Sequence, residues 1–526
     1  MPATPLCSRY HPLTSPAGLN PRVVLSAVKL SELWESRYVL REGMIPCFVP
    51  RELALEILNV GKALNFIRLC CGDNEWTLRL GAPLRKRRVT ENGGAGERKE
   101  DRFSSSSLAR LEYGREAELQ SVVRKAAALA NEHLLELLMG KFELRAHCSN
   151  LQQFLLLGKG DFVQSLMEHL APQLARPANQ LHRHHLLSLV ETAVRSSAPA
   201  PGMAGETGGG SASGGVSIGW IGGGGVPIGP GGESEQHALL LRHLDVTLTK
   251  TPGGSGWDAF CLDYNTGSPC DVIFSEGAMR MYRQASTFLW RLKRVEYTLT
   301  AVWRKHCTTA RLIPKLHKDA TMHAAYLLRN EMVHFVYNLQ YYLMFEVIEC
   351  AYNALDQKLS DASDLEDMLS AHTTFLADIE RKAMLRREDE GIFLALKALF
   401  DSILQFARSQ DVLYMSLLEQ KAAHKAHAAT VGASAAQGKW GATGAVSAAE
   451  LGAVAVEPRL AEQLAAAADD YRSKFTTFFS LMRRHASYDL ALFVFRLDFN
   501  EYYEAAASAA DGGGQSSPQV SPAAGA

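Results

Sequence analysis

The chain has 526 residues, of which 47% are hydrophobic, and its 55 Lys and Arg residues nearly balance 56 Asp and Glu residues. This length allows two or three domains, and the net charge of -1 gives no electrostatic reason to expect nucleic acid or an acidic membrane as a partner. Nine cysteines without a CxxC pair, no secretory leader and no run of about 18 apolar residues predict a soluble intracellular protein without membrane insertion.

The first 140 residues contain one clear helix between stretches of low complexity. Residues 1–29 are rich in Pro, Ser and Thr and predict a disordered lead. Pro50 suits the first turn of a helix whose apolar stripe runs from Leu53 to Cys71. Residues 85–107 are charged and rich in Gly and Ser, which predicts an exposed loop with a solvated basic cluster. The alternative for that cluster is a nuclear address.

Helical spacing then continues over residues 119–157, without an intervening strand pattern. Asp161 is the expected N-cap of a helix over 162–170 that ends at Pro172, and a further helix contains Leu186. Residues 198–235 are dominated by Gly, Ser and Pro and predict a flexible insertion, because they cannot bury enough apolar surface to offset their ordering entropy.

Alternating apolar residues follow this insertion at 244–248 and 257–264, between glycine-rich turns. The period of two predicts a short hairpin attached to a helical body. From Glu276 onwards the pattern is again helical. Phe288, Leu289 and Trp290 are expected in the core, and the following Lys293, Arg294 and Glu296 are expected at the solvent.

Residues 322–359 are predicted to form a central, largely buried helix. Two apolar faces run along it, one with Leu328, Met332, Phe335, Leu339 and Tyr342, the other with Val333, Val336, Leu343, Val347 and Cys350. The third face contains Glu331, His334, Asn338 and Glu346. We interpret these polar groups as hydrogen-bond partners of neighbouring helices, with a ligand site as the alternative.

The C-terminal part predicts further packed helices and one more insertion. A near-heptad stripe between Ile392 and Leu417 suits antiparallel packing on the central rod. Residues 422–456 are rich in Ala and Gly, and their repeated glycines favour a mobile loop. Two apolar stripes follow, Tyr471, Phe475, Phe478 and Met482, then Tyr488, Leu492, Phe495 and Phe499. Residues 506–526 are a low-complexity tail.

No catalytic or metal-binding pattern is complete. Gly61-Lys62 lacks the flanking residues of a phosphate loop, and Gly158-Lys159-Gly160 lacks both the third glycine and the preceding strand of a dinucleotide site. His182, His184 and His185 have no acidic or cysteine ligand at metal-binding spacing. Cys70-Cys71 ends an apolar helix, where burial should raise the thiol pKa and reduce reactivity. These patterns predict a protein that is not an enzyme.

Six phrases, in this order, resemble the gamma-tubulin complex component family. They are LREGMIPCFVPRELALEILNVGKALNFIRLCC, LQQFLLLGKGDFVQSLMEHLAPQLARPA, SGWDAFCLDY, FLWRLKRVEYTL, NEMVHFVYNLQYYLMFEVIECAYNAL and FRLDFNEYY. The resemblance implies an all-α protein of elongated, stacked helical bundles with a short β-like hairpin patch. It also implies that residues 30–140 are the end of an N-terminal lateral-contact domain and that residues 141–505 are a gamma-tubulin-binding domain, with insertions at 198–235 and 422–456.

The same resemblance implies a scaffold subunit that binds gamma-tubulin, pairs with component 2 and other complex components, and templates microtubule nucleation. Its expected locations are the cytoplasm, the centrosome or other microtubule-organising centre, and the spindle pole. No cofactor is expected on this chain, because GTP belongs to the bound gamma-tubulin. The alternative function is a helical tethering subunit of a vesicle-trafficking complex.

The candidate gamma-tubulin contacts lie in two of these phrases. In FRLDFNEYY, Phe495 and Phe499 fit the buried stripe, and the polar side chains around them are expected to face a partner. These are Arg496, Asp498, Asn500 and Glu501. The alternative is that they cap and anchor the last helix. In SGWDAFCLDY the candidates are Trp257, Asp258 and Tyr264, with a structural hairpin as the alternative.

Overall fold

The computed structural model describes residues 34, 38–46, 49–76, 116–197, 240–249, 255–314, 319–436, 455–485 and 488–503. The predicted lead, the loop 85–107, the insertion 198–235 and the tail lie outside the described residues. Within the described ranges the chain is helical apart from one two-stranded sheet, so the predicted all-α class with a hairpin patch is confirmed.

The described helices are α1 (Arg51–Leu69), α2 (Glu116–Glu136), α3 (Leu144–Asn150), α4 (Gly160–Leu174), α5 (Arg183–Ser196), α6 (Gly256–Ala259), α7 (Glu276–Leu312), α8 (Ala320–Tyr341), α9 (Cys350–Asp361), α10 (Leu365–Lys382), α11 (Glu390–Ala436), α12 (Pro458–Arg484) and α13 (Tyr488–Leu497). The strands are β1 (Leu244–Leu248) and β2 (Phe260–Tyr264). Leu137–Lys141 and Leu151–Leu155 continue α2 and α3 as π-helix, and Tyr342–Glu349 joins α8 to α9 in the same way.

The chain forms two compact units. The first comprises Met1–Arg283 and Ala351–Ala377, and the second comprises Gln284–Cys350 and Asp378–Ala526. In the first unit, β1 and β2 pair antiparallel, with Leu244 opposite Tyr264. Arg183 of α5 holds the hairpin, because its Nε donates to the Val246 carbonyl at 2.8 Å and its guanidinium pairs with Asp245.

The core of the second unit follows the predicted stripes. The α8 residues Leu328, Met332, Phe335 and Leu339 are buried, and the α11 stripe from Ile392 to Leu417 is buried as well. The α12 stripe Tyr471, Phe475, Phe478 and Met482 is also buried. The Phe335 ring lies 5.6 Å from Phe475 and 5.7 Å from Phe478, so aromatic packing joins α8 to α12.

Three local predictions are wrong. Asp161 lies inside the first turn of α4, which begins at Gly160 after Lys159, and Pro172 lies inside the helix, which runs to Leu174. Complete burial of Leu170 and Leu174 stabilises this last turn despite the backbone donor that proline removes. Cys350, expected on a buried face of the central helix, is exposed.

The expected mobile loop at 422–456 is wrong for its first part, because α11 continues to Ala436. Alanine has the highest helix propensity, so this run extends the helix without burial. Gly432 does not end it, and an added Cβ there would meet no atom within 4 Å. Residues 437–454 lie outside the described ranges.

Lys293, expected at the solvent, is buried in the second unit with 6% exposure. Its Nζ lies 2.7 Å from Glu296 Oε2. The Gln340 side-chain amide is oriented to bond both partners of this ion pair. Its oxygen accepts from Lys293 Nζ at 2.6 Å, and its nitrogen donates to Glu296 Oε2 at 3.1 Å. Burial lowers the pKa of Lys293, while the Glu296 carboxylate opposes that shift. A buried lysine is tolerated here because its ammonium is paired and hydrogen-bonded.

The hairpin depends on a close approach at Gly256. Its N–H donates to the Arg176 carbonyl at 2.9 Å. A Cβ added to Gly256 would lie 2.6 Å from Leu181 Cδ1 and 2.8 Å from the Leu174 carbonyl oxygen. Because backbone atoms form part of this contact, a side-chain rotation alone cannot relieve it.

We expect Gly256→Ala to lower the free energy of unfolding by about 1–3 kcal/mol, because overpacking forces the backbone to shift. Gly61→Ala is the matched control in the same unit, since Gly61 lies inside α1 and an added Cβ meets nothing within 4 Å. The control should raise stability by about 0.5–1 kcal/mol. Chemical denaturation measures both, and equal effects of the two substitutions would contradict the prediction.

Buried histidines couple folding to pH. In the first unit, burial lowers the pKa of His372 and of His147 to about 4. His372 Nε2 lies 3.1 Å from the Tyr282 hydroxyl, and His147 Nδ1 lies 2.8 Å from the Tyr264 hydroxyl. At pH values between the unfolded pKa of 6.5 and the folded pKa of about 4, the unfolded chain binds more protons than the folded chain does. These groups therefore reduce stability as pH falls through that window.

We expect His372→Phe to reduce the slope of unfolding free energy against pH between 6.5 and 4 by about 1.4 kcal/mol per pH unit, the effect of one proton. The measurement is chemical denaturation at several pH values. Gly61→Ala, which changes no titratable group, is the control and should leave the slope unchanged. Comparing slopes removes the constant cost of losing the Tyr282 hydrogen bond. An unchanged slope in His372→Phe would refute the assignment.

Candidate partner-binding surface

Helix α13 is anchored in the second unit along one side. Its residues Leu490, Phe493 and Leu497 are buried, and the Phe493 ring lies 5.1 Å from the Tyr342 ring. Near its start, Asp489 pairs with Arg381 at 3.1 Å and Lys382 at 3.7 Å. Apolar burial and paired charge therefore fix the rotation of α13 about its axis.

Arg496 holds the other end of the helix to the central helix. Its guanidinium pairs with Glu346, and its central carbon lies 4.4 Å from the centre of the Tyr341 ring. A guanidinium above an aromatic face gains a cation–π attraction in addition to the ion pair. Arg496 is therefore engaged within the chain. The prediction that the polar side of the central helix binds neighbouring elements is confirmed for Glu346, whereas Asn338 donates to the His334 carbonyl of its own helix.

Asp498 is buried and organises the turn after α13. Its carboxylate accepts a hydrogen bond from the Tyr503 N–H at 3.0 Å. The Tyr503 ring lies 4.5 Å from Phe475, and its hydroxyl lies 3.5 Å from Glu331. Burial raises the pKa of the Glu331 carboxyl, and the Arg472 charge and the Tyr503 hydroxyl oppose that shift.

The four polar candidates of FRLDFNEYY therefore separate into two pairs. Arg496 and Asp498 make anchoring contacts, as the alternative interpretation describes. Asn500 and Glu501 are exposed, and Glu501 has a left-handed backbone with φ 57°. A role of the exposed pair as partner contacts stays a prediction.

The hairpin candidates also lie in different environments. Tyr264 has 2% exposure, and its hydroxyl contacts His147 and the Asn150 amide, so its side chain does not reach the surface. Trp257 is half-buried in α6. Asp258 is exposed and accepts a hydrogen bond from the Ser255 hydroxyl at 2.9 Å. The burial of Tyr264 favours the structural alternative for that residue.

The expected burial of Phe495 and Phe499 is wrong. Phe495 is 70% exposed and Phe499 is 71% exposed. The exposed apolar stripe of α13 and the following turn consists of Tyr488, Leu492, Phe495, Phe499 and Tyr502. Sequence reasoning missed it because YDLALFVFRL is apolar on several sides, and α13 buries the second stripe, Leu490, Phe493 and Leu497, instead.

Two exposed tyrosines of α8, Tyr337 and Tyr341, extend this stripe. Arg496 links Tyr341 to the stripe, because it lies over the Tyr341 ring and is one helical turn from Leu492, and Tyr337 lies one turn before Tyr341 on α8. We name these seven side chains the aromatic face: Tyr337, Tyr341, Tyr488, Leu492, Phe495, Phe499 and Tyr502. All of them belong to the second unit.

No group of three His, Cys, Asp or Glu side chains in the described ranges has an arrangement that would hold a metal ion. Burial raises the pKa of the Cys70 thiol to about 12 and that of Cys71 to about 11, as predicted. No described helix is both long and apolar enough to cross a membrane.

Two family models match the chain. The model described as "Gamma tubulin complex component C-terminal" matches residues 144–503, and the model described as "Gamma tubulin complex component N-terminal" matches residues 11–141. The chain belongs to the gamma-tubulin complex component family. The aromatic face of this family member lies entirely within the C-terminal match.

Individual relatives agree with this family. "Gamma-tubulin complex component 3 homolog" of Xenopus laevis is 31% identical over 91% of this chain and 48% of its own length. "Gamma-tubulin complex component 3" of Homo sapiens is 30% identical over the same shares. "Spindle pole body component alp6" of Schizosaccharomyces pombe is 31% identical over 73% of this chain and 40% of its own length. The chain thus spans about half the length of the curated relatives it matches.

We expect Asp498→Ala to lower the free energy of unfolding by about 1–2 kcal/mol, because it leaves the Tyr503 N–H without its acceptor. Asn500→Ala, two residues away and exposed, should change stability by less than about 0.5 kcal/mol. Chemical denaturation of both variants measures the difference. Equal stability of the two variants would show that Asp498 does not anchor the end of the chain's helical body.

Proposed function

We propose that this protein is a non-catalytic scaffold subunit that binds gamma-tubulin and helps to template microtubule nucleation. The observation that carries the proposal is the match of residues 144–503 to the C-terminal model of the gamma-tubulin complex components. Family membership favours this function over the vesicle-tethering alternative.

The proposed mechanism is pre-organisation. Free tubulins lose translational and rotational freedom when they form the first lateral contacts of a microtubule. A scaffold that already holds gamma-tubulin side by side removes part of this cost, because later associations become intramolecular. Long helices with buried stripes, such as α8 and α11, suit this role since close-packed interiors deform little.

The proposed partners are gamma-tubulin, component 2 and other components of the complex, with GTP bound to gamma-tubulin and not to this chain. We assign residues 141–505 to gamma-tubulin binding and residues 30–140 to lateral contact. The proposed locations are the cytoplasmic microtubule-organising centre and the spindle pole. The fission-yeast relative, named as a spindle pole body component, supports this location.

We expect the purified chain to co-elute with gamma-tubulin in size-exclusion chromatography with mass detection. The mass should correspond to a one-to-one complex, and guanine nucleotide should elute only in fractions that contain gamma-tubulin. Separate elution at low salt would refute the proposal at its binding step. Adding component 2 tests lateral pairing separately, because a larger mass with component 2 is expected only if residues 30–140 suffice for that contact.

A further inference from the structure

A cavity of about 430 Å³ lies in the second unit, beside the turn that connects α10 to α11. Its walls come from α7, from this connecting turn and from the first turn of α11. Sites for small molecules typically have volumes of roughly 300–1,000 Å³ and combine apolar walls with a few polar groups. This cavity has both kinds of lining, the apolar Leu385 and Phe393 and the charged Arg386, Arg387 and Glu390.

The two arginines of the connecting turn are available to a ligand. Arg386 is half-buried and Arg387 is exposed. Within the part of the chain that the structure describes, neither guanidinium has a hydrogen bond or an ion pair. Arg381, by contrast, is paired with Asp378 and Asp489. Each guanidinium offers planar donors that match the oxygens of a carboxylate or a phosphate, so the cavity favours an anion.

The connecting turn is fixed on both sides, which holds the backbone of the two arginines in place. The Gln284 side-chain amide donates to the Leu385 carbonyl at 3.1 Å. The buried Asp389 carboxylate lies 2.8 Å from His485 Nε2, which joins the turn to the end of α12. Met384 is fully buried and has a left-handed backbone with φ 59°. Such a conformation is uncommon for a residue other than glycine, and it is found most often at binding and catalytic sites.

The charges around the cavity match a doubly charged anion better than a singly charged one. Arg386 and Arg387 contribute two positive charges, while the Glu390 carboxylate opposes one of them. The first turn of α11 also lines the cavity, and a helix N-terminus adds about half a positive charge. The remainder is about 1.5 positive charges. A phosphate monoester has a charge of about −1.5 to −2 at pH 7, so it neutralises this remainder more completely than a carboxylate does.

The apolar lining favours a phosphate that is attached to an apolar group. The Phe393 ring packs against the Phe288 ring with 5.7 Å between their centres, which fixes its position. Met384 and Leu385 are buried beside the cavity. An aromatic or aliphatic group gains free energy by covering this surface, whereas inorganic phosphate does not. The Glu390 carboxylate would repel additional phosphate groups, so a single phosphate fits better than a polyphosphate.

We propose that this cavity binds a small phosphate monoester with an aromatic or aliphatic body. Arg386 and Arg387 bind the phosphate, and the body of the ligand packs against Phe393. This binding activity goes beyond the scaffold role and does not depend on gamma-tubulin, because every residue of the cavity lining belongs to the second unit of this chain.

The test is a ligand-observed NMR titration of the full chain, with phenyl phosphate as the probe. Phenyl phosphate should bind at least tenfold more tightly than inorganic phosphate. The double substitution Arg386→Gln and Arg387→Gln should raise its dissociation constant at least tenfold. Arg304→Gln with Arg311→Gln is the matched control, because it removes the same charge from exposed positions of α7 in the same unit. The control should bind within twofold of the unsubstituted chain.

A second variant tests the apolar wall. Phe393→Ala should weaken phenyl phosphate binding at least fivefold and leave the affinity for inorganic phosphate within twofold. Thermal unfolding should show that each variant is folded at the temperature of the titration.

Three results would overturn the inference. The first is no saturable binding of phenyl phosphate to the unsubstituted chain. The second is equal loss of affinity in the Arg386/Arg387 variant and in its control, which would show a general charge effect. The third is benzoate or inorganic phosphate binding as tightly as phenyl phosphate, which would contradict the assignment to a phosphate monoester with an apolar body.

Discussion

The second unit depends on one constraint. Helix α8 and the π-helix that continues it are buried on two sides. Phe335 lies against Phe475 and Phe478 of α12, while Tyr342 contacts Phe493 of α13 and donates to the Lys382 carbonyl at 2.9 Å. Fully burying one large apolar side chain contributes about 1.5–3 kcal/mol. Several such contacts along one helix determine where α12 and α13 lie.

This anchoring also explains why an apolar face remains exposed. Helix α13 has apolar residues on more than one side, but α8 and α12 can bury only the side with Leu490, Phe493 and Leu497. Two ion pairs keep α13 in this rotation about its axis: Arg496 with Glu346, and Asp489 with Arg381. The phenylalanines on the remaining side, Phe495 and Phe499, consequently face the solvent.

The first unit uses polar contacts in a different way. Its small hairpin is held by Arg183 and by the close approach of Gly256, while His147 and Tyr264 form a buried hydrogen bond beside it. Buried polar groups need partners because their desolvation is otherwise costly. Tyr264, which the sequence suggested as a partner contact, meets this need inside the chain.

The sequence by itself determined the helical class, the hairpin and the buried stripes of α8, α11 and α12, because apolar periodicity shows which faces avoid water. Its ordered phrases also determined the family. Only the tertiary structure decided that Lys293 is buried and that Phe495 and Phe499 are exposed. Periodicity identifies apolar faces, but when a helix such as α13 has more than one, only the packing partners available to it select the face that is buried.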